Sequence, residues 1–314
     1  MRIIYMGTPD FAVPSLEALV SAGFTPVAVA TGPDKPRGRG RQVSPTPVKE
    51  AATRLGIDRI LQPESVRDPG FAESVRALSP DLIIVVAYRI LPPEVYRAAR
   101  LGAFNLHGSL LPRYRGAAPI HRAVMAGETE TGVTTFFLKD VVDTGDMILQ
   151  RSFAVGPDDT TGDVHDRMMG IGAEVVVETV RLILGSAVFE APQDDLFACP
   201  APKIFREEAS IDWNRPVARV HDFIRGLSPV PCAWTRWAGT DLKVYRSSKE
   251  SLAPGPSGPV PSPGTLHVAP DGPLVACLDG WIRLVEVQPE GRRRMTGADF
   301  VRGYPVEDLS RFGA

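Results

Sequence analysis

A chain of 314 residues is too long for one comfortable hydrophobic core and suits two domains of ordinary size. With 44% hydrophobic and 23% charged residues, and no apolar run near the length of a membrane span, the composition is that of a globular protein in water and excludes a membrane-embedded chain. A net charge of −2 conceals any polyanion partner, so local basic clusters have to be sought instead.

The chain opens MRIIYMGTPDF, whose apolar run is broken too soon by Gly7, Pro9 and Asp10 for a signal peptide, so a cytoplasmic protein is expected. Strand-like and helix-like segments then alternate through the first half, which predicts an α/β, Rossmann-like doubly wound domain with a parallel sheet. Residues 2–6 read as a first buried strand, GTPDF at 7–11 as a turn, and residues 14–22 as a helix with Leu16, Leu19 and Val20 at helical spacing. The turn lacks GxGxxG and the chain lacks GxxxxGK[ST], so neither a dinucleotide site nor a P-loop is expected. Residues 26–31 give a second strand, with Pro26 at the first position, where a strand tolerates it. Next comes a basic, Gly-rich stretch, DKPRGRGRQ, carrying Lys35, Arg37, Arg39 and Arg41.

DLIIVVA at 81–87 is a continuous apolar run of strand length, as when both faces of a parallel strand are covered. Residues 103–107 form the next strand, followed by a helix near 120–126 and a strand at 132–138. The stretch 189–206, with APQDD and CPAPK, is Pro-rich and weakly patterned and reads as an interdomain connection. The expected division is therefore a catalytic domain at 1–189, a linker at 190–207 and a smaller domain at 208–314. The last begins with a helix at 215–225 and continues with short strands at 233–237, 242–245, 264–268, 274–278 and 281–287, which fits an OB-like β-barrel. APGPSGPVPSPG at 253–264 reads as a flexible loop within it.

One strand carries chemistry. Side chains alternate across a strand, so Asn105 and His107 share a face in FNLHG, at a carboxyl end where such sheets bind ligands. VVDTGDM sets Asp143 after the next strand, at what should be an adjacent strand end. An amide donor, an imidazole and a carboxylate together can stabilise an oxyanion and move a proton, as acyl transfer to an amine requires. Ser109 lacks a nucleophile elbow, so direct transfer from donor to acceptor is the simpler reading. Asp146 is either a second carboxylate of the site or a loop-stabilising group. His121, His165, His221 and His267 have no metal-ligand spacing, Cys199, Cys232 and Cys277 no CxxC spacing, and Trp234, Trp237 and Trp281 read as core.

Asn105, His107, SLLP at 109–112, RGAAPI at 115–120, GETETGVT at 127–134 and DTGDM at 143–147 resemble the 10-formyltetrahydrofolate-dependent formyltransferases. The resemblance is closest to the methionyl-tRNA formyltransferase family, and it extends to GTPDFA, KPRGRGR, SPTPVK, EEASIDW and QPEGRRRMTGADF. It implies catalytic roles for Asn105, His107 and Asp143: Asn105 donating to an oxyanion, His107 sharing in that and in proton traffic, and Asp143 holding His107 and relaying a proton. It implies a folate pocket using Arg89, Leu91, Ser109, Leu110, Leu111, Pro112 and Val142. At the first of these the chain reads AYRILP where the family commonly has AYG-x-ILP, and its RIL is similar to glycinamide ribonucleotide transformylase.

The same resemblance implies that the loop of Lys35, Arg37, Arg39 and Arg41 engages the acceptor stem of initiator methionyl-tRNA. Arg292, Arg293 and Arg294 form a second basic cluster, which Arg225, Lys243 and Arg246 would extend. Reduced folate and tRNA are then the partners of a monomer with no metal and no membrane contact. Two other readings share these residues. A formyltransferase for a small amine such as an amino sugar nucleotide would have no obvious use for the basic loop, and a non-catalytic RNA-binding protein would not need Asn105, His107 and Asp143 together.

Overall fold

The structure is a computed structural model that describes residues 1–37, 42–249 and 261–312. The chain forms two compact units, one of Met1–Pro119, Thr131–Phe153 and His165–Ala201, the other of Ile120–Glu130, Ala154–Val164 and Pro202–Ala314.

In the first unit β1 (Ile3–Gly7) leads through α1 (Val13–Ser21) to β2 (Ala28–Ala30). A hairpin of β3 (Lys35–Arg37) and β4 (Gln42–Ser44) follows, then α2 (Pro47–Arg54) and β5 (Ile60–Leu61). Pro47 begins α2 where its missing N–H costs nothing, and the Thr46 side chain caps it by accepting from the Lys49 amide at 3.1 Å. Next come α3 (Pro69–Ala77), β6 (Leu82–Val86), α4 (Pro93–Tyr96) and β7 (Ala103–His107). After β7 the chain makes α5 (Pro119–Ala126), β8 (Glu130–Phe137), β9 (Met147–Ala154) and the long α6 (Thr161–Leu184).

The sheet runs β5-β2-β1-β6-β7-β8-β9. Every residue of β1 and β6 is buried, as their unbroken apolar runs require of parallel strands covered on both faces. One face of these strands packs Ile4, Met6, Ile83 and Val85 against Phe71 and Val75 of α3 and Val95 of α4.

The expectation of a parallel sheet fails at β8, which runs antiparallel to β7 with Asn105 opposite Phe136 and His107 opposite Thr134. Between the two strands the chain leaves this unit at Ile120 and rejoins it at Thr131, within β8. The carboxyl end of β8 therefore lies beside the start of β7, and the loop after it has to fold back to reach His107.

The second unit contains α7 (Val217–Leu227), β10 (Ala233–Trp237), β11 (Thr240–Lys249), β12 (Leu266–His267), β13 (Leu274–Ala276), β14 (Trp281–Pro289), β15 (Met295–Thr296) and α8 (Gly297–Gly303). Its strands form an antiparallel sheet in the order β10-β11-β14-β13-β12, with β15 on β14. Val220, Ile224 and Leu227 of α7 pack with Val244, Ile282, Leu284 and Phe300 in its core. Trp237 belongs to this packing, edge-on to Phe300 and Tyr304. No helix among the described residues is long and apolar enough to cross a membrane.

Candidate active site

Asn105 and His107 do share a face of β7, and the loop between β8 and β9 brings Asp143 to them. His107 is 6% exposed, and its Nε2 lies 2.8 Å from the Tyr114 carbonyl oxygen. A carbonyl can only accept, so Nε2 carries a proton, and Nδ1 faces the other side. There the Asp143 Oδ2 stands 3.9 Å away, beyond the reach of a direct hydrogen bond but close enough to act on the ring electrostatically. His107 thus stands between the Tyr114 carbonyl on one side and the Asp143 carboxylate on the other. Asp143 in turn is held by the Gly116 amide, which donates to its Oδ2 at 2.9 Å. Phe136 meets the imidazole edge-on at 6.4 Å between ring centroids. Among the described residues the Asn105 side chain has no hydrogen-bond partner, so its amide is available to a ligand.

A cleft opens beside Asn105, lined among others by Arg89, Ile90, Leu91, Val141, Val142 and Asp143. Ile90 and Val141 are 71% and 65% exposed, an unusual presentation of apolar surface that suits a flat ring. Ser109, Leu110, Leu111 and Pro112 do not line this cleft; they form a turn pinned to the sheet. Ser109 Oγ donates to the Arg113 carbonyl at 2.6 Å, Thr134 Oγ1 donates to the Ser109 carbonyl at 2.7 Å, and Gln150 Nε2 donates to the Leu111 carbonyl at 2.7 Å.

Arg89 contributes to the cleft wall, while its guanidinium donates to the carbonyls of Pro63 and Glu64, both at 2.8 Å. Asp146 pairs with Lys139, whose ammonium lies 2.8 Å from its carboxylate, a contact that suits the loop-stabilising reading.

The cleft loop is also tied to α4. Asp140 accepts from the Tyr96 hydroxyl and from Arg97 Nη2 at 2.6 Å, and these, the hydroxyl above all, hold its carboxyl below the usual range. A depressed carboxyl stabilises the fold in full above its unfolded pKa, and the contribution disappears as pH falls through the folded value. Asp140→Asn should therefore reduce the drop in urea midpoint between about pH 5 and about pH 3. An unchanged drop would show that this contact contributes nothing to acid sensitivity.

Gln193 carries no signal in the sequence, where it sits in the apparent linker. Its Nε2 donates to the carbonyls of Asp143 and Gly145 at 2.9 and 2.8 Å, and its Oε1 accepts from Arg115 Nε and Nη2 at 3.0 and 2.8 Å.

The basic clusters are met unevenly. Lys35 is exposed on β3, the Arg37 backbone closes that strand, and Arg39 and Arg41 lie outside the described residues. Arg292, Arg293 and Arg294 are all exposed, with Arg294 paired to Glu286 at 2.8 Å and stacked 3.7 Å over the Tyr245 ring. Lys243 is exposed, and Arg246 is about half exposed with Asp163 at 3.5 Å. Arg225 does not extend this surface. It is 5% exposed, bonded to Asp222 at 2.8 Å and to the Asp159 carbonyl at 3.0 Å, because a buried guanidinium must be satisfied internally.

Residues 1–180 match the formyl transferase family and residues 203–305 match the formyl transferase C-terminal domain. The chain is 52% identical to a methionyl-tRNA formyltransferase of Chlorobium luteolum over 98% of each chain. It is 48% identical to that of Chlorobium phaeovibrioides, over 100% of this chain and 98% of the relative. Among solved structures, an N-formyltransferase from Helicobacter canadensis in complex with folinic acid and dTDP-3-aminofucose shares the fold, with a TM-score of 0.67, 19% identity and coverage of 92% of this chain and 99% of that one. Two family matches in series and relatives alike from end to end account for both units, and the chain belongs to the formyl transferase family.

Proposed function

We propose that this chain transfers the formyl group of 10-formyltetrahydrofolate to the α-amino group of methionine on initiator methionyl-tRNA, giving N-formylmethionyl-tRNA for translation initiation. The observation that carries this reading is the 52% identity to a methionyl-tRNA formyltransferase over 98% of both chains, which includes the second unit as well as the first. The grouping of Asn105, His107 and Asp143 beside an apolar cleft supplies the chemistry.

In this reading the cleft of Ile90, Leu91, Val141 and Val142 takes the pterin, with the formyl group beside Asn105. The amine attacks the formyl carbon, and the carbonyl oxygen gathers negative charge. Asn105 donates to that oxygen with an amide that has no other partner to give up. His107, fixed through Nε2, offers Nδ1 to proton traffic, and Asp143 takes the proton shed by the amine through a bridging water. The proton returns to the folate nitrogen as the C–N bond to the donor breaks, so charge and atoms balance. The chain works as a monomer, without a metal.

Lys35, Arg37, Arg39 and Arg41 bind the tRNA backbone, and Arg292, Arg293 and Arg294 bind it from the second unit. Replacing the first four by alanine should raise KM for charged tRNA by about tenfold or more at moderate salt and leave folate affinity unchanged. Affinity of the unaltered protein should fall steeply between about 50 and 200 mM salt, and a flat response would count against phosphate contacts.

The function itself is tested by incubating the protein with 10-formyltetrahydrofolate and charged initiator tRNA and assaying for formylmethionine on the tRNA. Folate binding with no transfer to the tRNA would overturn the assigned acceptor.

A further inference from the structure

The stretch that reads as a linker is a strap on the active-site loops. Residues 199–201 run alongside 115–118: the Arg115 amide donates to the Cys199 carbonyl at 3.0 Å, the Ala201 amide to the Arg115 carbonyl at 2.6 Å, and the Ala118 amide to the Ala201 carbonyl at 3.0 Å. The Tyr114 amide donates to the Cys199 Sγ at 3.2 Å. The approach is so close that a Cβ on Gly116 would stand 2.7 Å from the Ala201 carbonyl oxygen. What this strap holds in place is the pair of contacts that orient the site, the Tyr114 carbonyl on His107 and the Gly116 amide on Asp143.

Gln193 completes the arrangement from the other side. Its two amide protons go to the carbonyls of Asp143 and Gly145, and its oxygen receives two donors of the Arg115 guanidinium, which uses the whole hydrogen-bonding capacity of a primary amide. The partners also fix which way the amide points, since carbonyls only accept and a guanidinium only donates. Asp143 sits at φ +56°, a left-handed conformation that a non-glycine residue keeps only when its surroundings impose it. Gln193 bonds to the carbonyl of that very residue.

We propose that Gln193, braced by Arg115, is a positioning residue for Asp143, setting the carboxylate's distance from His107 without touching substrate. This rests on the reading of Asp143 as the proton relay. Gln193→Glu is the sharpest variant: it keeps the acceptor for Arg115 and replaces the donor to the two carbonyls with an oxygen that repels them.

The experiment measures formyl transfer to charged tRNA for Gln193→Glu, alone and combined with Asp143→Asn. The expected result is kcat down about tenfold to a hundredfold, with KM for tRNA and folate affinity within about twofold of the parent, because a misplacement of about an ångström is felt in the chemical step. In the Asp143→Asn background the same change should have almost no further effect, whereas a general structural role would lower the residual rate by the same factor again. If Gln193→Glu proves poorly folded by thermal melting, Arg115→Lys, which removes the two-pronged grip and keeps the charge, should give the same loss in kcat and the same non-additivity. Parental kcat in folded Gln193→Glu, or full additivity with Asp143→Asn, overturns the assignment. An inactive parent protein overturns the proposed function instead.

Discussion

Asn105→Ala, His107→Ala and Asp143→Ala should each leave a folded protein whose formyl transfer is slower by at least about a hundredfold, the usual cost of removing one donor aimed at developing charge. The three differ in what they do to the fold, which separates loss of chemistry from loss of structure. Asn105 has no side-chain partner within the described residues, so its removal leaves no orphaned group. Removing His107 takes away the ring nitrogen that meets the Tyr114 carbonyl at 2.8 Å, so a modest loss of stability accompanies the loss of rate. For Asp143 the amide variant is cleaner than alanine, because asparagine adopts the left-handed backbone at φ +56° more readily than alanine does. Steady-state rates beside melting curves make the check. A variant that melts like the parent and turns over at the parental rate removes that residue from the mechanism.

Gly145→Ala should be nearly as damaging from a position that makes no contact with substrate. The loop after β8 has to double back because β8 is antiparallel to β7, and Gly145 is where it presses on the strand it has just left. A Cβ there would fall 1.5 Å from the Phe137 carbonyl oxygen and 3.1 Å from the Phe136 ring. No rotamer relieves a clash with backbone, so the loop must move, at a cost of roughly 3 kcal/mol for a forced overpacking. Asp143 is two residues away and moves with it. The expected outcome is a lower melting temperature together with a fall in kcat comparable to that of Asp143→Asn; unchanged values of both would mean that the loop runs elsewhere.

These two predictions mark the border of what can be read without coordinates. β1, β6 and β7 are legible because a continuous apolar run has one cheap environment, a strand covered on both faces, and because alternation puts Asn105 and His107 together. The antiparallel direction of β8 is not, since its apolar residues would suit either direction. Gln193 is invisible for a similar reason: one amide in a Pro-rich stretch has no pattern, and its partners are 48, 50 and 78 residues away. The basic stretch reads as a Gly-rich loop, yet Lys35–Arg37 and Gln42–Ser44 pair as a hairpin. At its base Lys49 Nζ lies 2.6 Å from the Asp34 carboxylate and 2.8 Å from Gln62 Oε1. The α6 helix has no counterpart among the sequence-based elements, because its VVVETV run suits a strand as well as a helix.

Acceptor choice tests the central claim most directly. Formyl transfer from 10-formyltetrahydrofolate would be followed with charged initiator tRNA, uncharged tRNA, free methionine and a dTDP-linked amino sugar side by side. The account predicts rapid formylation of the charged tRNA alone, with loss of that activity in Asn105→Ala. Formylation of the amino sugar with the charged tRNA untouched would contradict it, keeping the chemistry of Asn105, His107 and Asp143 and assigning the site to a small amine.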